Sequence, residues 1–142
     1  MLTPVVIIVL AALAAGVLRR HVVWVTRVTS WSMAPSLHPG DRLPTWALRD
    51  ASRIRRGDVV VIESPELGQR IIKRVIGLPG ERIVVDRAGV LVDDVRLDEP
   101  WPRIPGGPVG SFRVPDGTLL VLGDNRAASS DSRSWRDPYV AL

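Results

Sequence analysis

The sequence predicts a small, mostly β domain of antiparallel strands, barrel-like in outline, behind one N-terminal membrane helix. Residues 1–18 carry no charge and are mostly Val, Ile, Leu and Ala. From Val22 onward, short runs of β-branched residues alternate with Pro and Gly turns, and no helical pattern longer than two turns appears after residue 25. A chain of 142 residues has room for one domain.

Residues 1–20 are predicted to form a membrane anchor, and residues 21–142 a β-rich domain. As a helix, residues 1–18 would span roughly 27 Å, close to the ~30 Å hydrocarbon core of a bilayer. Arg19 and Arg20 follow the run, and by the positive-inside rule they favour a cytoplasmic location for what comes after. Two other interpretations stay open: a cleaved signal peptide, although a basic segment before the apolar run is missing, and a buried soluble helix.

The strands are predicted from β-branched runs and the turns that bound them. The second strand contains Pro44, which favours a sheet edge or a bulge. Residues 59–62 are an uninterrupted apolar run, typical of a buried strand. Residues 100–110 hold four prolines and three glycines and are predicted to be a loop. The predicted strands are residues 22–28, 41–48, 59–62, 69–76, 82–86, 89–92, 95–97 and 118–122.

The composition excludes several kinds of active site. Cysteine is absent, which excludes disulfides, thiolate catalysis and Cys-based zinc sites. Because His21 adjoins the apolar run and His38 lies in a Pro-Gly turn, we expect neither a Ser-His-Asp triad nor a His-based metal site. The net charge of +4 comes from scattered arginines balanced by 15 acids. We therefore expect no cofactor, no metal and no nucleic-acid partner.

A serine and a lysine stand out as a candidate catalytic pair. Ser30 and Ser32 lie in a segment rich in turn residues, which alone is ordinary turn chemistry. Lys73 is the only lysine among 19 basic residues, the others all being arginine. Arginine is effectively always protonated, whereas a desolvated lysine can lose its proton. Ser32 with Lys73 would form a nucleophile–base pair of the Ser–Lys kind.

The environment of Lys73 has two interpretations at this point. Strand alternation places Ile71, Lys73 and Val75 on one face, which favours burial and a lowered pKa. A neutral amine of that kind is what a general base requires. The alternative is an edge-strand lysine whose stem is packed and whose charged end lies in water.

A polar segment near the C-terminus, residues 123–133, is dense in short hydrogen-bonding side chains. One interpretation is a solvated loop with Asx and Ser turns. The other is a scaffold beside the active site, in which hydroxyl groups orient Lys73 and an Asp–Arg pair fixes the loop. Asp131 could pair locally with Arg133 or reach Arg74.

Blocks of the chain, in order, resemble those of the type I signal peptidases, which are membrane-bound serine proteases with a Ser–Lys dyad. Residues 32–37 (SMAPSL) resemble the nucleophile motif, and residues 40–43 (GDRL) the block after it. Residues 56–59 (RGDV) and 73–80 (KRVIGLPG) resemble the block that carries the base. Residues 123–133 (GDNRAASSDSR) resemble the family's last block. The set covers most of residues 30–135, and its order makes the resemblance highly specific.

The resemblance implies a role for each matched residue. Ser32 would be the nucleophile and Lys73 the general base. Ser30 would donate to the oxyanion hole beside the Ser32 backbone N–H. Ser129 would hydrogen-bond the Lys73 amine and orient it. The expected structural supports are Arg74, Asp124, Asn125, Asp131 and Arg133.

The chain departs from the family pattern in three places. Trp31 stands where the family usually has a small residue, so Trp31 and its neighbour Met33 are candidates for facing substrate or membrane; packing is the alternative for Trp31. Only about 42 residues separate Gly80 from Gly123, so an inserted second domain would be vestigial or absent. The closing strand after Trp135 would be short or missing.

The resemblance implies an endopeptidase that removes signal peptides from exported precursors, after a small residue with another small residue two positions earlier. Its partners would be those precursors and membrane lipid. The chain would be a single-pass plasma-membrane protein with an extracytoplasmic catalytic domain. Two alternatives stay open. One is a specialised maturation protease of the same fold, dedicated to one precursor, and the other is a non-catalytic, membrane-tethered β-module with Ser32 as a turn residue.

Overall fold

The computed structural model describes residues 4, 6, 8, 9, 23–48, 50–64 and 66–142. Short strands dominate these residues, with one 3₁₀ helix, η1, at Ala51–Arg53. The strands are β1 (Val23–Arg27), β2 (Arg42–Trp46), β3 (Val59–Ser64), β4 (Gln69–Gly77), β5 (Arg82–Asp86), β6 (Gly89–Val92), β7 (Val95–Arg96), β8 (Gly110–Arg113), β9 (Thr118–Leu122) and β10 (Tyr139–Ala141).

The strands form three antiparallel sheets. β1 and β2 make a two-stranded hairpin, in which Val25 lies opposite Pro44. The second sheet has the order β10-β9-β4-β3, and the third has the order β7-β6-β5-β8. A register shift between Val75 and Gly77 marks a bulge in β4 where it pairs with β9.

The core lies on both faces of the second sheet. Successive residues of a strand point to opposite faces, so Val75 and Ile76 of β4 enter two different apolar clusters. The cluster around Ile76 fills the space between the second and third sheets, while Trp135 and Val140 help to cover the cluster around Val75. Because β4 and β9 are buried on both faces, their sequences include continuous apolar runs.

Gly77 allows the second and third sheets to come close together. A Cβ atom at this position would lie 2.8 Å from Ile83 Cγ1 and 2.9 Å from Val114 Cγ2. Any side chain here would therefore push the two sheets apart.

The prediction of a mostly β fold of small antiparallel sheets is confirmed, and all eight predicted strands are present. Pro44 lies on an edge strand, as expected. The sequence did not predict β8, because this short strand follows directly on the Pro- and Gly-rich segment and carries only one large apolar residue, Phe112. The predicted anchor, residues 1–20, falls mostly outside the described residues. In the part of the chain that is described, no helix is long and apolar enough to cross a membrane.

Candidate active site

Lys73 occupies an interior strand and is almost fully buried. β4 lies between β3 and β9, and Lys73 is paired with Val60 of β3. Only 3% of the residue is exposed. The alternative, in which the charged end of Lys73 lies in water, is therefore wrong.

The buried setting lowers the pKa of Lys73 from its usual 10.5 to about 8, because the ammonium ion loses hydration there. The negative charge of Asp131 raises this pKa, and the positive charge of Arg133 lowers it further. An amine with such a pKa is neutral in a large fraction of molecules at mildly alkaline pH. It can then accept a proton.

Ser32 begins a turn that follows β1, and its hydroxyl group meets Lys73. The turn is closed by a backbone hydrogen bond in which the Ala34 N–H donates to Trp31 O at 3.0 Å. The Lys73 amine donates to Ser32 Oγ at 2.8 Å, and the hydroxyl oxygens of Ser30 and Ser32 are 3.2 Å apart. The structure thus brings together the three side chains that the sequence singled out.

The polar loop after β9 holds the backbone of this turn. The Asn125 N–H donates to Ser32 O at 3.0 Å, and Asn125 Nδ2 donates to Trp31 O at 3.2 Å. A Cβ atom at Gly123 would lie 2.4 Å from Ser32 O and 2.2 Å from Ser129 Oγ. The loop therefore approaches the turn so closely that only glycine fits at position 123.

Asp124 connects the turn of Ser32 to the strand of Lys73. Arg74 donates to both carboxylate oxygens, at 2.8 and 2.6 Å, and the Ser36 hydroxyl donates to one of them at 2.5 Å. Ser36 belongs to the same turn as Ser32, and Arg74 directly follows Lys73. A single buried carboxylate therefore fixes the position of one candidate residue relative to the other.

Asp131 and Arg133 form a local ion pair with both side chains 0% exposed. Arg133 makes two parallel N–H···O hydrogen bonds to the carboxylate, at 2.8 and 2.9 Å. Asp131 also accepts a hydrogen bond from the Gly123 N–H at 3.0 Å. Of the two pairings that the sequence left open, the local one is present, and Arg74 pairs elsewhere.

Ser129 does not make the hydrogen bond that the sequence predicted. Its hydroxyl oxygen is buried beside Gly123 and has no hydrogen-bond partner within the described residues. The predicted bond to the Lys73 amine is therefore not formed in this structure.

Met33 and Trp31 differ sharply in exposure. Met33 is only 1% exposed and packs in the interior, so the expectation that it faces substrate or membrane is wrong. Trp31 is 61% exposed, and its ring meets His38 edge-on with 5.7 Å between ring centroids. The Trp31 carbonyl accepts hydrogen bonds from the Ala34 N–H and from Asn125 Nδ2, so its backbone is tied both to the turn and to the polar loop.

A third buried ion pair, which the sequence analysis missed, stabilises the polar loop. Arg126 pairs with Glu99, and Arg126 Nε donates to Gly123 O at 3.0 Å. Arg103 lies 3.2 Å from the same glutamate. These contacts connect the Pro-rich segment to residues 123–133. The only sequence signal for them was the position of Arg126 within the matched block, because no local spacing relates it to Glu99.

Two further observations bear on what the site can bind. In the described ranges, no group of three or more His, Asp or Glu side chains is arranged to hold a metal ion. A cleft of about 860 Å³ lies between the β1–β2 hairpin and β3, and neither Ser32 nor Lys73 lines it.

Comparison with known proteins gives relatives along nearly the whole chain. The family model of signal peptidase, peptidase S26, matches residues 1–141. Signal peptidase I of Bacillus licheniformis is 32% identical over 139 residues, which cover 89% of this chain and 75% of that protein. Signal peptidase I of Leptolyngbya laminosa is 38% identical over 133 residues, which cover 87% of this chain and 65% of that protein.

A solved structure is also similar. The crystal structure of a signal peptidase I from Enterococcus faecalis V583 aligns with a TM-score of 0.54 and 30% sequence identity. The alignment covers 63% of this chain and 90% of that chain. Because the family model matches almost the whole length of this chain, the chain belongs to the signal peptidase family, peptidase S26.

Proposed function

We propose that this chain is a membrane-bound serine endopeptidase that removes signal peptides from exported precursors, with Ser32 as nucleophile and Lys73 as general base. The observation that carries the proposal is the 2.8 Å contact between Lys73 Nζ and Ser32 Oγ, made by a buried amine. Membership of the signal peptidase family supports the substrate class.

The proposed reaction follows from the groups around Ser32. The neutral Lys73 amine accepts the hydroxyl proton while Ser32 Oγ attacks the carbonyl carbon of the scissile bond. The Ser32 backbone N–H and the Ser30 hydroxyl donate to the oxyanion that forms. The Lys73 ammonium then gives its proton to the leaving amine, which produces an acyl-enzyme. The amine afterwards takes a proton from the water that hydrolyses this ester.

Part of one edge of β4 has no strand partner among the described residues, and we propose that the substrate binds there. β9 pairs with β4 only from Arg74 to Gly77, so the edge of residues 69–73 that faces away from β3 has no strand partner among the described residues. An extended precursor can pair with such an edge through its main chain. Alternate side chains of an extended peptide point the same way, which suits a motif with small residues two positions apart.

The membrane setting belongs to the same proposal: an anchor over residues 1–20, and a catalytic domain over residues 21–142 on the extracytoplasmic side of the plasma membrane. Exported precursors are available for cleavage on that side. The exposed indole of Trp31 beside Ser32 favours the second candidate function, a maturation protease dedicated to one precursor. A screen of precursors with wild type and Trp31→Gly separates the two.

The pH dependence of cleavage tests the proposed base. We expect kcat/KM on a precursor ending in Ala-x-Ala to rise with pH through an apparent pKa of about 8, because only the neutral amine accepts a proton. Ser32→Ala gives the blank for contaminating protease. Because Lys73 is the only lysine, ¹⁵N-lysine NMR can follow its titration separately. A flat rate profile across the NMR midpoint would contradict the role of Lys73.

Ser30→Ala should lower kcat by about 10²–10³-fold and leave folding intact, because one donor to the oxyanion is lost. The remaining donor, the Ser32 N–H, should preserve some activity. The neighbouring Thr29→Val is the matched control, since it also removes an exposed hydroxyl group. Equal turnover in the two variants would remove Ser30 from the mechanism.

Gly123→Ala should lower kcat by about 10²-fold, because the new Cβ displaces the Ser32 carbonyl and with it the hydroxyl group. The same Cβ would also lie 2.2 Å from Ser129 Oγ and 2.5 Å from Ser129 Cβ, so Gly123→Ala/Ser129→Gly removes the clash with residue 129 and leaves the one with Ser32 O. We expect the double variant to recover part of the lost kcat in a peptide assay. No difference in kcat between wild type and Gly123→Ala would show that this close approach does not position Ser32.

A further inference from the structure

Trp101 lies in the Pro-rich segment between β7 and β8, and its ring lies over the guanidinium group of Arg74. The Arg74 Cζ atom is 4.7 Å from the ring centroid. The ring also reaches Gly57, where an added Cβ atom would lie 3.0 Å from Trp101 Cζ3. The lack of a side chain at position 57 therefore leaves room for the ring to approach the strand that carries Arg74.

The ring contacts the part of Arg74 that hydrogen bonds leave free. The N–H groups of a guanidinium lie in its plane, so its hydrogen bonds hold its edges and not its two faces. Arg74 uses these edges to donate to both oxygens of Asp124 and, at 2.8 Å, to Gly57 O. An aromatic ring attracts a cation placed over its face, and this attraction is stronger where water is excluded. The Arg74 side chain is only 10% exposed, so the contact with Trp101 is of the stronger kind.

The contribution of Trp101 comes from its aromatic surface and not from its polar group. Its ring nitrogen, Nε1, is buried and has no hydrogen-bond partner among the described residues. A buried N–H without a partner lowers stability. A phenyl ring would supply the same kind of surface without that N–H.

The ion pair beside the ring connects the two candidate catalytic residues. Arg74 directly follows Lys73 on β4. Asp124 accepts a hydrogen bond from the Ser36 hydroxyl, which lies in the turn of Ser32. A displacement of the guanidinium group would therefore move the turn relative to the strand. A misplacement of about 1 Å between reacting groups can lower a rate by about 10²-fold.

We propose that Trp101 is a positioning residue for the proposed peptidase reaction. Its ring holds the Arg74 guanidinium group against the Asp124 carboxylate, and this pair fixes the candidate nucleophile relative to the candidate base. The inference rests on the proposed Ser–Lys reaction. The proposed substrate edge, residues 69–73, ends before Arg74, so loss of the ring should lower kcat and leave KM unchanged.

Two substitutions separate the aromatic face from apolar bulk. Trp101→Phe keeps an aromatic face, whereas Trp101→Leu keeps apolar bulk without one. With full-length protein and a peptide substrate in neutral detergent, we expect Trp101→Leu to lower kcat about tenfold and Trp101→Phe to stay within about threefold of wild type. Phe112→Leu is the control: it removes an aromatic side chain that packs against the same apolar cluster, and it should keep the wild-type kcat. Trp101→Met should behave like Trp101→Leu, and it replaces that variant if the leucine variant does not fold.

A measurement that needs no catalysis follows the Arg74 side chain directly. NMR of the arginine side chains gives the rate at which the Arg74 Nε–H, which donates to Asp124 at 2.8 Å, exchanges with water. The signal is assigned by its loss in Arg74→Lys. We expect exchange to be about tenfold faster in Trp101→Leu, because water reaches the exposed face of the guanidinium group. Trp101→Phe and Phe112→Leu should exchange at the wild-type rate.

Three results would overturn the proposal: equal kcat in Trp101→Leu and Trp101→Phe, an equal loss of kcat in Phe112→Leu, or Arg74 exchange that Trp101→Leu leaves unchanged. The second result would show that packing of the cluster, and not the contact with Arg74, sets the rate. Failure of the proposed function has a different signature. In that case Ser32→Ala would hydrolyse the peptide as fast as wild type, and the positioning role would fail with it even if Arg74 exchange accelerated as expected.

Discussion

Replacing Lys73 with arginine should abolish cleavage of an Ala-x-Ala precursor, although the positive charge is kept. The serine hydroxyl needs a base, and arginine cannot lose its proton in a protein because its pKa is above ~12. We expect kcat/KM to fall by about 10⁴-fold or more, as when the base of another serine hydrolase is disabled. Rates are measured at pH 8–9, where the neutral fraction of the wild-type amine is large.

Two further variants show whether a loss of activity comes from loss of the base or from loss of folding. Lys73→Met keeps the length of the side chain without charge, suits the buried position, and should be folded and inactive. Arg113→Lys changes an exposed arginine of β8, away from the candidate site, and should keep the wild-type rate. Wild-type hydrolysis by a folded Lys73→Arg preparation, with Ser32→Ala inactive, would end the Ser–Lys interpretation.

Breaking the ion pair between Asp131 and Arg133 should have the largest effect on stability. Both side chains are fully buried, so Asp131→Ala leaves an unpaired guanidinium group in the interior. We expect the free energy of unfolding to fall by about 3–5 kcal/mol, measured by urea denaturation of the full-length chain in detergent. Glu63→Ala at the exposed pair with Arg70 is the control and should cost less than about 1 kcal/mol.

A double variant shows whether the loss of stability comes from the unpaired charge of Arg133. Asp131→Leu/Arg133→Met replaces both partners with apolar groups, and it should be more stable than Asp131→Ala. If the double variant were as unstable as the single one, the hydrogen bonds that the Asp131 carboxylate accepts from the backbone N–H groups of Gly123 and Arg133 would be the more important contribution.

The strands could be predicted because local pattern determines them. The sequences of β4 and β9 are largely apolar and end at or just before a glycine, which is a recognisable strand pattern. Lys73 is recognisable because it is the only lysine, and so the one basic side chain of its kind that can be neutral. β8 was not predicted, because Gly110 and Arg113 at its ends are not typical strand residues. The residues that support the site were harder to predict. Asp124 meets Ser36 only because the fold brings together positions 88 residues apart.

The exposure of individual side chains was the least predictable feature. Met33 and Trp31 lie on the same short turn, yet one is buried and the other is exposed. A turn has no fixed periodicity, so alternation rules that work for β4 do not apply to it. The hydrogen bonding of Ser129 was equally hard to predict, because the orientation of its hydroxyl group depends on the packing of Gly123 beside it.

The hydrogen bonds of Asn125 to the Ser32 turn bear on the moment at which a chain with the proposed peptidase activity could begin to cut peptides. The side chain of Asn125 bonds the carbonyl of Trp31, a residue 94 positions earlier. At a synthesis rate of about 5–20 residues per second, the ribosome releases both the serine and the lysine several seconds before the loop that aligns them. Half-made chains would therefore carry the reactive groups without the alignment that makes them work. Order of synthesis alone would delay proteolysis until the chain has been made and folded as far as Asn125.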